Sequence, residues 1–594
     1  MCGLSGEIRF DGDRPDLAAV ERMNERLAAR GPDGRGTWSR GAVALGHRRL
    51  KIIDLSDLGA QPMTDPRAGI TGVFNGCVYN YKELREELRG LGHRFVSTSD
   101  TEVVLKAYQQ WGTACVERFL GMFAFALVEH RSGRLVLGRD RLGIKPLYLA
   151  RTPGRLRFAS SLPALLAAGD VDTSLDPVAV HQYLSWHATV AAPRTVLNGV
   201  RKLPPATVRI VEPDGTHRDH RYWQPSYTRR PEFADMDAED WRDALQEALR
   251  TAVRRRMVSD VQVGVLLSGG LDSSLIVALL AQEGQRDLMT FSVGFESEGG
   301  EDGDEFRYSD LVAREFGTDH RRLMVPSDQV STALDGAVEA MSEPMTSHDV
   351  VAFYLLSEQV SKEVKVVQSG QGADEVLAGY HWYPRLAEAA RADAAERYAD
   401  TYFDRPHADL ARILEPGMLP HDDVSGRYVR AHMAAPGAET ALDASLRLDT
   451  HVMLVDDPVK RVDNMTMAWG LEARVPFLDH ELVELAAACP PGLKLADGGK
   501  GVLKAAGRRL LPREVVDRPK GYFPVPAIRH MAGPVLKRVR EALEAPEARR
   551  RGLFRESYVS ELLEAPDEHR TKRGANALWQ VALLEIWLQT HGIS

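Results

Sequence analysis

The chain has 594 residues, of which 44% are hydrophobic and 27% charged, and this composition excludes a mainly disordered protein. Its 75 Lys and Arg against 84 Asp and Glu give a formal net charge of −9, which leaves no excess positive field for a nucleic-acid backbone. No apolar run approaches the roughly 20 residues that span a bilayer, and the first residues lack an apolar signal-peptide core. We therefore expect a cytoplasmic protein that binds neither nucleic acid nor membrane.

Residues 1–215 consist of short alternating or apolar runs broken by Gly, Pro and Asp, a pattern typical of strands. Two stretches, 16–30 and 80–92, carry apolar residues at helical spacing. The first part is therefore predicted to be α plus β. The polar, Pro-containing stretch 216–239 that follows is predicted to be a linker.

From residue 240 the pattern changes to that of a parallel-sheet nucleotide domain. A long helix is followed by the apolar strand VQVGVLL, a Gly- and Ser-rich turn and another helix. Further apolar strands, at 288–295 and 364–370, alternate with helical stretches, and the chain becomes mostly helical from about 380. Apolar helices near the C-terminus pack either within the chain or against a second copy, so a homodimer is one expectation.

The four cysteines are Cys2, Cys77, Cys115 and Cys489. No C-x-x-C pair occurs among them, which excludes a disulfide framework and a zinc site of the usual spacing. Removal of Met1 would place Cys2 at the amino terminus, where the α-amino group, with a pKa of about 7.7 to 8.0, can take the thiol proton as attack begins. Cys2 is therefore a candidate nucleophile.

Seven motifs occur in order, namely MCGLSG, RGPDGRG, HRRL, FNGCVYNYKELR, SDTEVVL, GMFAFAL and GRDRLGIKPLY. Together they resemble the glutaminase domain of class II glutamine amidotransferases. The resemblance implies an N-terminal-nucleophile fold, an αββα sandwich of two stacked sheets between helices, over 1–215. In that family the terminal Cys attacks the side-chain amide of glutamine and releases ammonia through a thioester.

The resemblance also implies roles for individual residues. Cys2 would be the nucleophile, and Asn75 and the N–H of Gly76 would form the oxyanion hole. Arg49 would hold the α-carboxylate of glutamine, and Asp100 would receive its α-ammonium. The family pattern is usually F-N-G-E, whereas this chain has Cys77 in place of the Glu, so one anion that would help to hold the α-ammonium is missing.

A second constellation lies between a predicted strand and helix. Glycines let backbone N–H groups approach phosphate oxygens, hydroxyls add donors, and a helix N-terminus contributes its dipole. The S-G-G-x-D-S pattern resembles the pyrophosphate loop (PP-loop) of enzymes that split ATP between its α and β phosphates, and G-K-[ST] of a Walker loop is absent. The residues predicted to bind pyrophosphate are Ser268, Gly269, Gly270, Asp272, Ser273 and Ser274.

This loop, VVQSGQGADEV, RVDNMTMAWGLEARVPFLD and RPKGYF together resemble the asparagine synthetase domain, which we assign to 240–594. The resemblance implies that ATP and Mg²⁺ bind here. Asp272 and Asp374 would hold Mg²⁺, and Lys504 and Lys520 would neutralise the transferring α-phosphate and the leaving pyrophosphate. The residues implied to frame the adenosine are Leu267, Val293, Ser369 and Gly370.

Joined in one chain, the two parts imply an amidotransferase that adenylates a carboxylate and amidates it with ammonia from glutamine. A closed channel would keep ammonia neutral and near the activated carbonyl. The partners would be glutamine and a small carboxylic acid or dipeptide. Asparagine synthetases have S-G-E-G where this chain has Gln371, and Asn464 replaces a usually basic residue. An amide cannot act as a base, so pyrophosphate, water or His348 are the alternatives for proton acceptor.

Stretches such as SHDVVAFYLLSEQVSK and SGQGADEVLAGYHWYP resemble most the N-acetylglutaminylglutamine amidotransferase branch, which implies amidation of an N-acetylated glutamine dipeptide as a compatible solute for osmotic protection. Three alternatives stay open. The chain could be a glutamine-hydrolysing asparagine synthetase, a relative of β-lactam synthetase, or an inactive glutamine-sensing or scaffold protein. The presence of Cys2, Arg49, Asn75 and Asp100 speaks against the β-lactam alternative.

Overall fold

The computed structural model describes residues 2–296, 304–347, 349–518 and 531–593. The strands in these ranges are β1 (Gly3–Arg9), β2 (Gly34–Arg40), β3 (Val43–Arg49), β4 (Met63–Asp65), β5 (Ile70–Val78), β6 (Gly121–Glu129), β7 (Leu135–Arg139), β8 (Tyr148–Thr152), β9 (Arg155–Ala159), β10 (Val200–Lys202), β11 (Thr207–Val211), β12 (His217–Arg221), β13 (Val263–Leu266), β14 (Met289–Phe295), β15 (Asp319–Val325), β16 (Val366–Gln368) and β17 (Glu472–Arg474).

The α-helices of the same ranges are α1 (Leu17–Arg26), α2 (Tyr81–Gly90), α3 (Asp100–Trp111), α4 (Cys115–Arg118), α5 (Leu162–Ala168), α6 (Pro177–Ser185), α7 (Ala238–Arg255), α8 (Leu271–Gln282), α9 (Phe306–Phe316), α10 (Ser327–Ala340), α11 (Asp349–Val360), α12 (Ala373–Val376), α13 (Tyr383–Ala387), α14 (Ala394–Tyr402), α15 (His407–Leu410), α16 (Val424–Ala434), α17 (Ala441–Leu448), α18 (Lys460–Met467), α19 (His480–Ala488), α20 (Pro491–Leu495), α21 (Gly501–Leu510), α22 (Arg513–Val516), α23 (Gly533–Glu544), α24 (Pro546–Arg551), α25 (Glu556–Glu564) and α26 (Ala577–Thr590). None of these described helices combines the length and the apolar character needed to cross a bilayer.

The first part of the chain forms two six-stranded sheets that stack face to face. Their strand orders are β10-β8-β9-β1-β3-β2 and β12-β11-β7-β6-β5-β4, with antiparallel neighbours. Apolar side chains such as Leu4, Leu45 and Val73 fill the space between the sheets. Helices α1 and α5 cover the outer face of the first sheet, and α3 packs on the second. This is the layered α plus β arrangement that the alternating patterns predict.

One predicted boundary differs from the structure. The stretch 216–239 was predicted to be a linker, but His217–Arg221 pairs with β11 as the edge strand of the second sheet. All five of its residues are exposed, so no apolar alternation marked the strand in the sequence. An edge strand with both faces solvated needs no apolar residues.

The second part is built on a five-stranded parallel sheet with the order β15-β14-β13-β16-β17. Strands β13 and β14 are buried along their whole length, as expected for a sheet covered on both faces. The strand order reverses between β13 and β16. In such sheets the loops at the carboxyl ends beside the reversal form a crevice where ligands bind, and the turns after these two strands begin at Leu267 and Ser369.

The helices after residue 380 pack within the chain. Helix α26 is almost wholly buried, and it contacts α10 and α23. Trp579 and Trp587 donate their indole N–H groups to the carbonyls of Thr346 and Met341, at 3.0 Å each. Of the two expectations for these apolar helices, packing within the chain is therefore the one found for α26.

Buried ion pairs join the two parts of the chain. Asp463 of α18 accepts from Arg30 at 2.9 Å and lies 3.3 Å from the ammonium of Lys145. Lys202 pairs with Asp456 at 2.6 Å. These charged side chains are almost fully buried, so separating the two halves would leave buried charges without their partners. The free-energy cost of doing so keeps the two halves together.

Candidate active sites

The first candidate site is a small cavity of about 30 Å³ around Cys2. Cys2 lies one residue before β1 and is 7% exposed. Burial raises the pKa of its thiol, so the sulfur is protonated until a base takes its proton. The predicted residues Arg49, Gly76 and Asp100 line the same cavity.

Asn75 is fully buried beside Cys2 and does not itself line this cavity. Its Oδ1 accepts the backbone N–H of Cys2 at 2.9 Å. Its Nδ2 is buried and makes no hydrogen bond within the part of the chain that the structure describes. A buried donor without an acceptor is costly, so this N–H pair is available to a ligand oxygen. At Gly76 a Cβ would come within 2.1 Å of the carbonyl of Met122, so β5 requires glycine there.

Arg49 and Asp100 are both held in place by backbone groups. The Arg49 guanidinium donates to the carbonyls of Asp54 and Ser56, the latter at 2.7 Å. Asp100 begins α3 and accepts the N–H of Val78 at 3.1 Å. Burial raises the pKa of Asp100 to about 6; the Val78 N–H opposes this rise, and the charge of Glu472 adds to it.

The sequence analysis missed two residues of this cavity, because they come from the other half of the chain. Glu472 and Arg474 of β17 line it together with Cys2. Arg474 donates to Glu472 Oε1 at 2.6 Å and approaches the sulfur of Cys77 at 3.9 Å. Both belong to the stretch GLEARVPFLD, which marked the second domain but carried no sign of contact with the first.

The second candidate site is a cavity of about 450 Å³ at the carboxyl ends of β13 and β16. It brings together most of the residues predicted to bind ATP and Mg²⁺. Those that line it are Leu267, Ser268, Gly270, Asp272, Ser273, Val293, Ser369, Gly370, Asp374 and Lys504. Lys520 and His348 lie outside the described residues.

Two predicted loop residues support the turn without lining the cavity. Gly269 has a φ of +73°, and a Cβ there would meet the N of Ser309 at 2.6 Å. Ser274 is fully buried in the first turn of α8. The turn itself is closed by Ser268 and Ser273, whose hydroxyls lie 3.1 Å apart, and α8 starts directly after it at Leu271. The N-terminus of a 12-residue helix thus faces the cavity.

The carboxylates of the two predicted metal ligands, Asp272 and Asp374, both contact the ammonium group of one lysine. The ammonium of Lys500 lies 2.6 Å from Asp272 Oδ2 and 2.9 Å from Asp374 Oδ1. Burial lowers the pKa of Lys500 but the two carboxylates outweigh it, so the amine stays charged. Two carboxylates that already converge on a positive charge are a donor set that fits Mg²⁺ bound to phosphate oxygens. Sequence reasoning missed Lys500, although it begins the basic run that includes Lys504.

A buried acid lies next to Gln371 in the same cavity. Glu375 accepts the hydroxyl hydrogen of Tyr380 at 2.7 Å, and all three residues line the cavity. Burial and the neighbouring Asp374 raise the pKa of Glu375 to about 7, while the hydrogen bond from Tyr380 opposes the rise. A carboxyl group with this pKa can exchange protons near neutral pH.

Helix α18 extends from one site towards the other. Arg461 lines the large cavity, and Asp463 holds Arg30, whose Nε donates to the carbonyl of Cys2 at 3.4 Å. Asn464, which we interpreted as a change in the acceptor half, does not line the large cavity. It lines a separate pocket against α1 and accepts the N–H of Ser342 at 2.6 Å.

Comparisons with known proteins agree with this two-part architecture. The family model of the glutamine amidotransferase domain matches residues 1–223. The family model of asparagine synthase matches residues 244–589. The chain is 29% identical to glutamine-hydrolyzing asparagine synthetase 1 of Bacillus subtilis, over 99% of this chain and 96% of the relative. It is 33% identical to a putative asparagine synthetase of Mycobacterium bovis, over 99% and 97%. Among solved structures, B. subtilis glutamine phosphoribosylpyrophosphate amidotransferase matches with a TM-score of 0.31 and 14% identity, over 55% of this chain and 91% of that one.

The matched domains and relatives define a class of enzyme, a ligase that hydrolyses glutamine and forms an amide. The chain belongs to the asparagine synthase family, whose model covers more than half of it. This confirms the expected amidotransferase class. It leaves the acceptor to be argued from the site.

Proposed function

We propose that this enzyme amidates N-acetylglutaminylglutamine with ammonia from glutamine, at the expense of ATP. The observation that carries the proposal is Gln371 in the wall of the large cavity, at the position where the asparagine synthetase pattern has an acid. The reaction converts glutamine, ATP, the dipeptide acid and water into the dipeptide amide, glutamate, AMP and pyrophosphate. The donor half is residues 1–215 together with the edge strand β12, and the synthetase half is residues 240–594.

In the donor half, Cys2 attacks the side-chain amide of glutamine once the initiator methionine has been removed. Its α-amino group takes the thiol proton. The Nδ2 of Asn75 and the N–H of Gly76 stabilise the oxyanion that forms, and the otherwise unused Nδ2 supports this role. Arg49 and Asp100 hold the two α-substituents of glutamine, and water then hydrolyses the thioester to glutamate.

In the synthetase half, the turn Ser268–Ser273 receives the pyrophosphate of ATP at the N-terminus of α8. Leu267, Val293, Ser369 and Gly370 frame the adenosine, and the acceptor carboxylate attacks the α-phosphate to give an acyl-adenylate. Lys504 and Lys520 neutralise charge on the leaving pyrophosphate. Asp272 and Asp374 would hold Mg²⁺, which when bound adds positive charge to the phosphates.

Ammonia released beside Cys2 has to reach the adenylate without meeting bulk water, where it would be protonated. Helix α18 supports a direct route, because its residues contact both sites. Asp463 touches Arg30 at the Cys2 site, and Arg461 lines the large cavity two residues earlier.

The attacking ammonia must lose a proton, and Gln371 cannot accept it. We assign this role to Glu375, the buried carboxyl group with a pKa of about 7 in the same cavity. Neutral Gln371 suits a peptide group better than a charged amino acid.

Asparagine synthesis is the second candidate function, because the matched relatives bear that name. An acceptor assay separates the two. Purified enzyme receives ATP, Mg²⁺ and ammonium, and pyrophosphate release is measured with N-acetylglutaminylglutamine or with aspartate. We expect release, and an amide product by mass spectrometry, with the dipeptide. Asparagine formed from aspartate at a higher kcat/KM than the dipeptide amide would refute the proposed acceptor.

Two variants test whether the chain is an enzyme or a glutamine-sensing scaffold. Cys2→Ala should abolish glutamine-dependent synthesis and leave ammonium-dependent synthesis intact. Asp272→Ala should abolish pyrophosphate release from either nitrogen source. If Cys2→Ala keeps glutamine-dependent synthesis, the role assigned to Cys2 is wrong. If Asp272→Ala keeps pyrophosphate release, the role assigned to Asp272 is wrong.

A further inference from the structure

The cavity around Cys2 is closed by a strand of the synthetase half. Strand β17 is the edge strand of the parallel sheet, and two of its three side chains, those of Glu472 and Arg474, line the cavity. Glu472 is 1% exposed and Arg474 is fully buried. A charged pair is placed in such a dry position only at a considerable desolvation cost.

The Glu472 carboxylate is fixed in its orientation. Arg474 donates to its Oε1, and the rest of the guanidinium is held by the carbonyls of Arg256 and Val258, at 2.7 Å each. Burial alone would raise the pKa of Glu472, but nearby positive charges, first that of the amino terminus and then those of Arg474 and Lys145, lower it to about 2. Glu472 is therefore an anion at neutral pH.

The same cavity contains the group that is expected to bind the α-ammonium of glutamine. Asp100 lines the same cavity, and the charge of Glu472 acts on it. Cys77 also lines the cavity and is fully buried, which raises the pKa of its thiol and keeps it neutral. The anionic groups lining this cavity are therefore Asp100, from the first domain, and Glu472, from the second.

On the basis of the proposed glutaminase role of this cavity, we propose that Glu472 is a specificity-determining residue for glutamine. Its carboxylate shares the α-ammonium of the substrate with Asp100, in place of the acid that Cys77 does not supply. The synthetase half thus completes the glutamine site of the glutaminase half. Arg474 is a positioning residue that holds Glu472 in its orientation.

The test compares glutamine with glutaramate, which has the same side-chain amide and carboxylate but lacks the α-amino group. Glutamate or glutarate formation is measured for the wild type and for Glu472→Gln. A lost charge-assisted hydrogen bond corresponds to about a 10- to 100-fold effect. We expect KM for glutamine to rise by that factor, with kcat within about threefold and the kinetics with glutaramate unchanged.

Cys77→Glu provides the rescue. The double variant Glu472→Gln/Cys77→Glu returns a carboxylate to the same cavity, and we expect it to recover most of the lost affinity for glutamine. Glu481→Gln is the matched control, because it is the same acid-to-amide change nearby, on a side chain that is 53% exposed and does not line the cavity. Glu481→Gln should leave KM and kcat unchanged for both glutamine and glutaramate.

Ammonium-dependent synthesis distinguishes this inference from the proposed function. If all variants keep it, they are folded, and a KM for glutamine that is unchanged in Glu472→Gln overturns the inference alone. An equal loss with glutamine and glutaramate shows a structural role and also overturns it. Should Glu472→Gln prove unstable, Cys77→Glu alone decides: a lower KM for glutamine supports the inference, and an unchanged or higher one refutes it.

Discussion

Replacement of Asn75 gives the most direct test of the donor half. The residue does two things in the structure: its Oδ1 accepts the N–H of Cys2 at 2.9 Å, and its Nδ2 is a buried donor with no partner among the described residues. Asn75→Asp keeps the acceptor and the shape but replaces the donor by an anionic oxygen. Asn75→Ala removes both.

The size of the effect follows from the role of the donor. Loss of one oxyanion donor typically costs about 100- to 1000-fold in kcat, or about 2.7 to 4 kcal/mol of transition-state stabilisation. We expect Asn75→Ala to fall in this range. Asn75→Asp should lose at least as much, because its negative charge opposes the developing oxyanion.

The assay measures glutamate release from glutamine, with ammonium-dependent pyrophosphate release as the internal control. Both variants should keep the ammonium-dependent rate within about twofold, since the large cavity is untouched. If Asn75→Asp retains more than about a tenth of the wild-type glutaminase kcat, then Nδ2 of Asn75 does not donate a hydrogen bond to the oxyanion.

Three further predictions concern protonation and the domain interface. Asp100 has to be anionic to bind the α-ammonium, and its pKa of about 6 lies above the usual value, so the fall of kcat/KM for glutamine should steepen by a further factor of about ten per pH unit below pH 6; an unchanged slope down to pH 5 would exclude this role. Glu375→Gln should lower ammonium-dependent synthesis at least about 100-fold and leave glutaminase activity unchanged, and a smaller loss would remove Glu375 as proton acceptor. Asp463→Asn leaves Arg30 and Lys145 buried without their carboxylate, so the free energy of unfolding should drop by about 3–5 kcal/mol, and a change below 1 kcal/mol in chemical denaturation would contradict it.

Most of the residues that the sequence predicted for the two sites line the two cavities, because each set is carried by a local motif. Cys2 precedes the first strand, and the Ser268–Ser273 turn lies between a strand and a helix whose patterns are plain. Those motifs fix the backbone locally, so side chains a few residues apart are placed by the turn itself.

The residues that were missed depend on contacts between distant parts of the chain. Glu472 reaches the Cys2 cavity only because β17 is the outermost strand of its sheet and the two halves pack at that edge. Lys500 meets Asp272 and Asp374 only after the chain has returned from more than a hundred residues of helices. Asn464 was misplaced for the same reason, since the pocket that it lines is formed with α1 and α10, which are far from it in the chain.

The buried position of α26 has a consequence for synthesis of the protein. The backbone carbonyl of Gln580 accepts the hydroxyl of Tyr183 at 2.9 Å, so a helix of the glutaminase half rests on a segment made almost four hundred residues later. During translation the ribosome releases that earlier helix long before its partner exists. A nascent or truncated chain that stops ahead of Ala577 should therefore expose an apolar face on both halves and be a substrate for chaperones or aggregation.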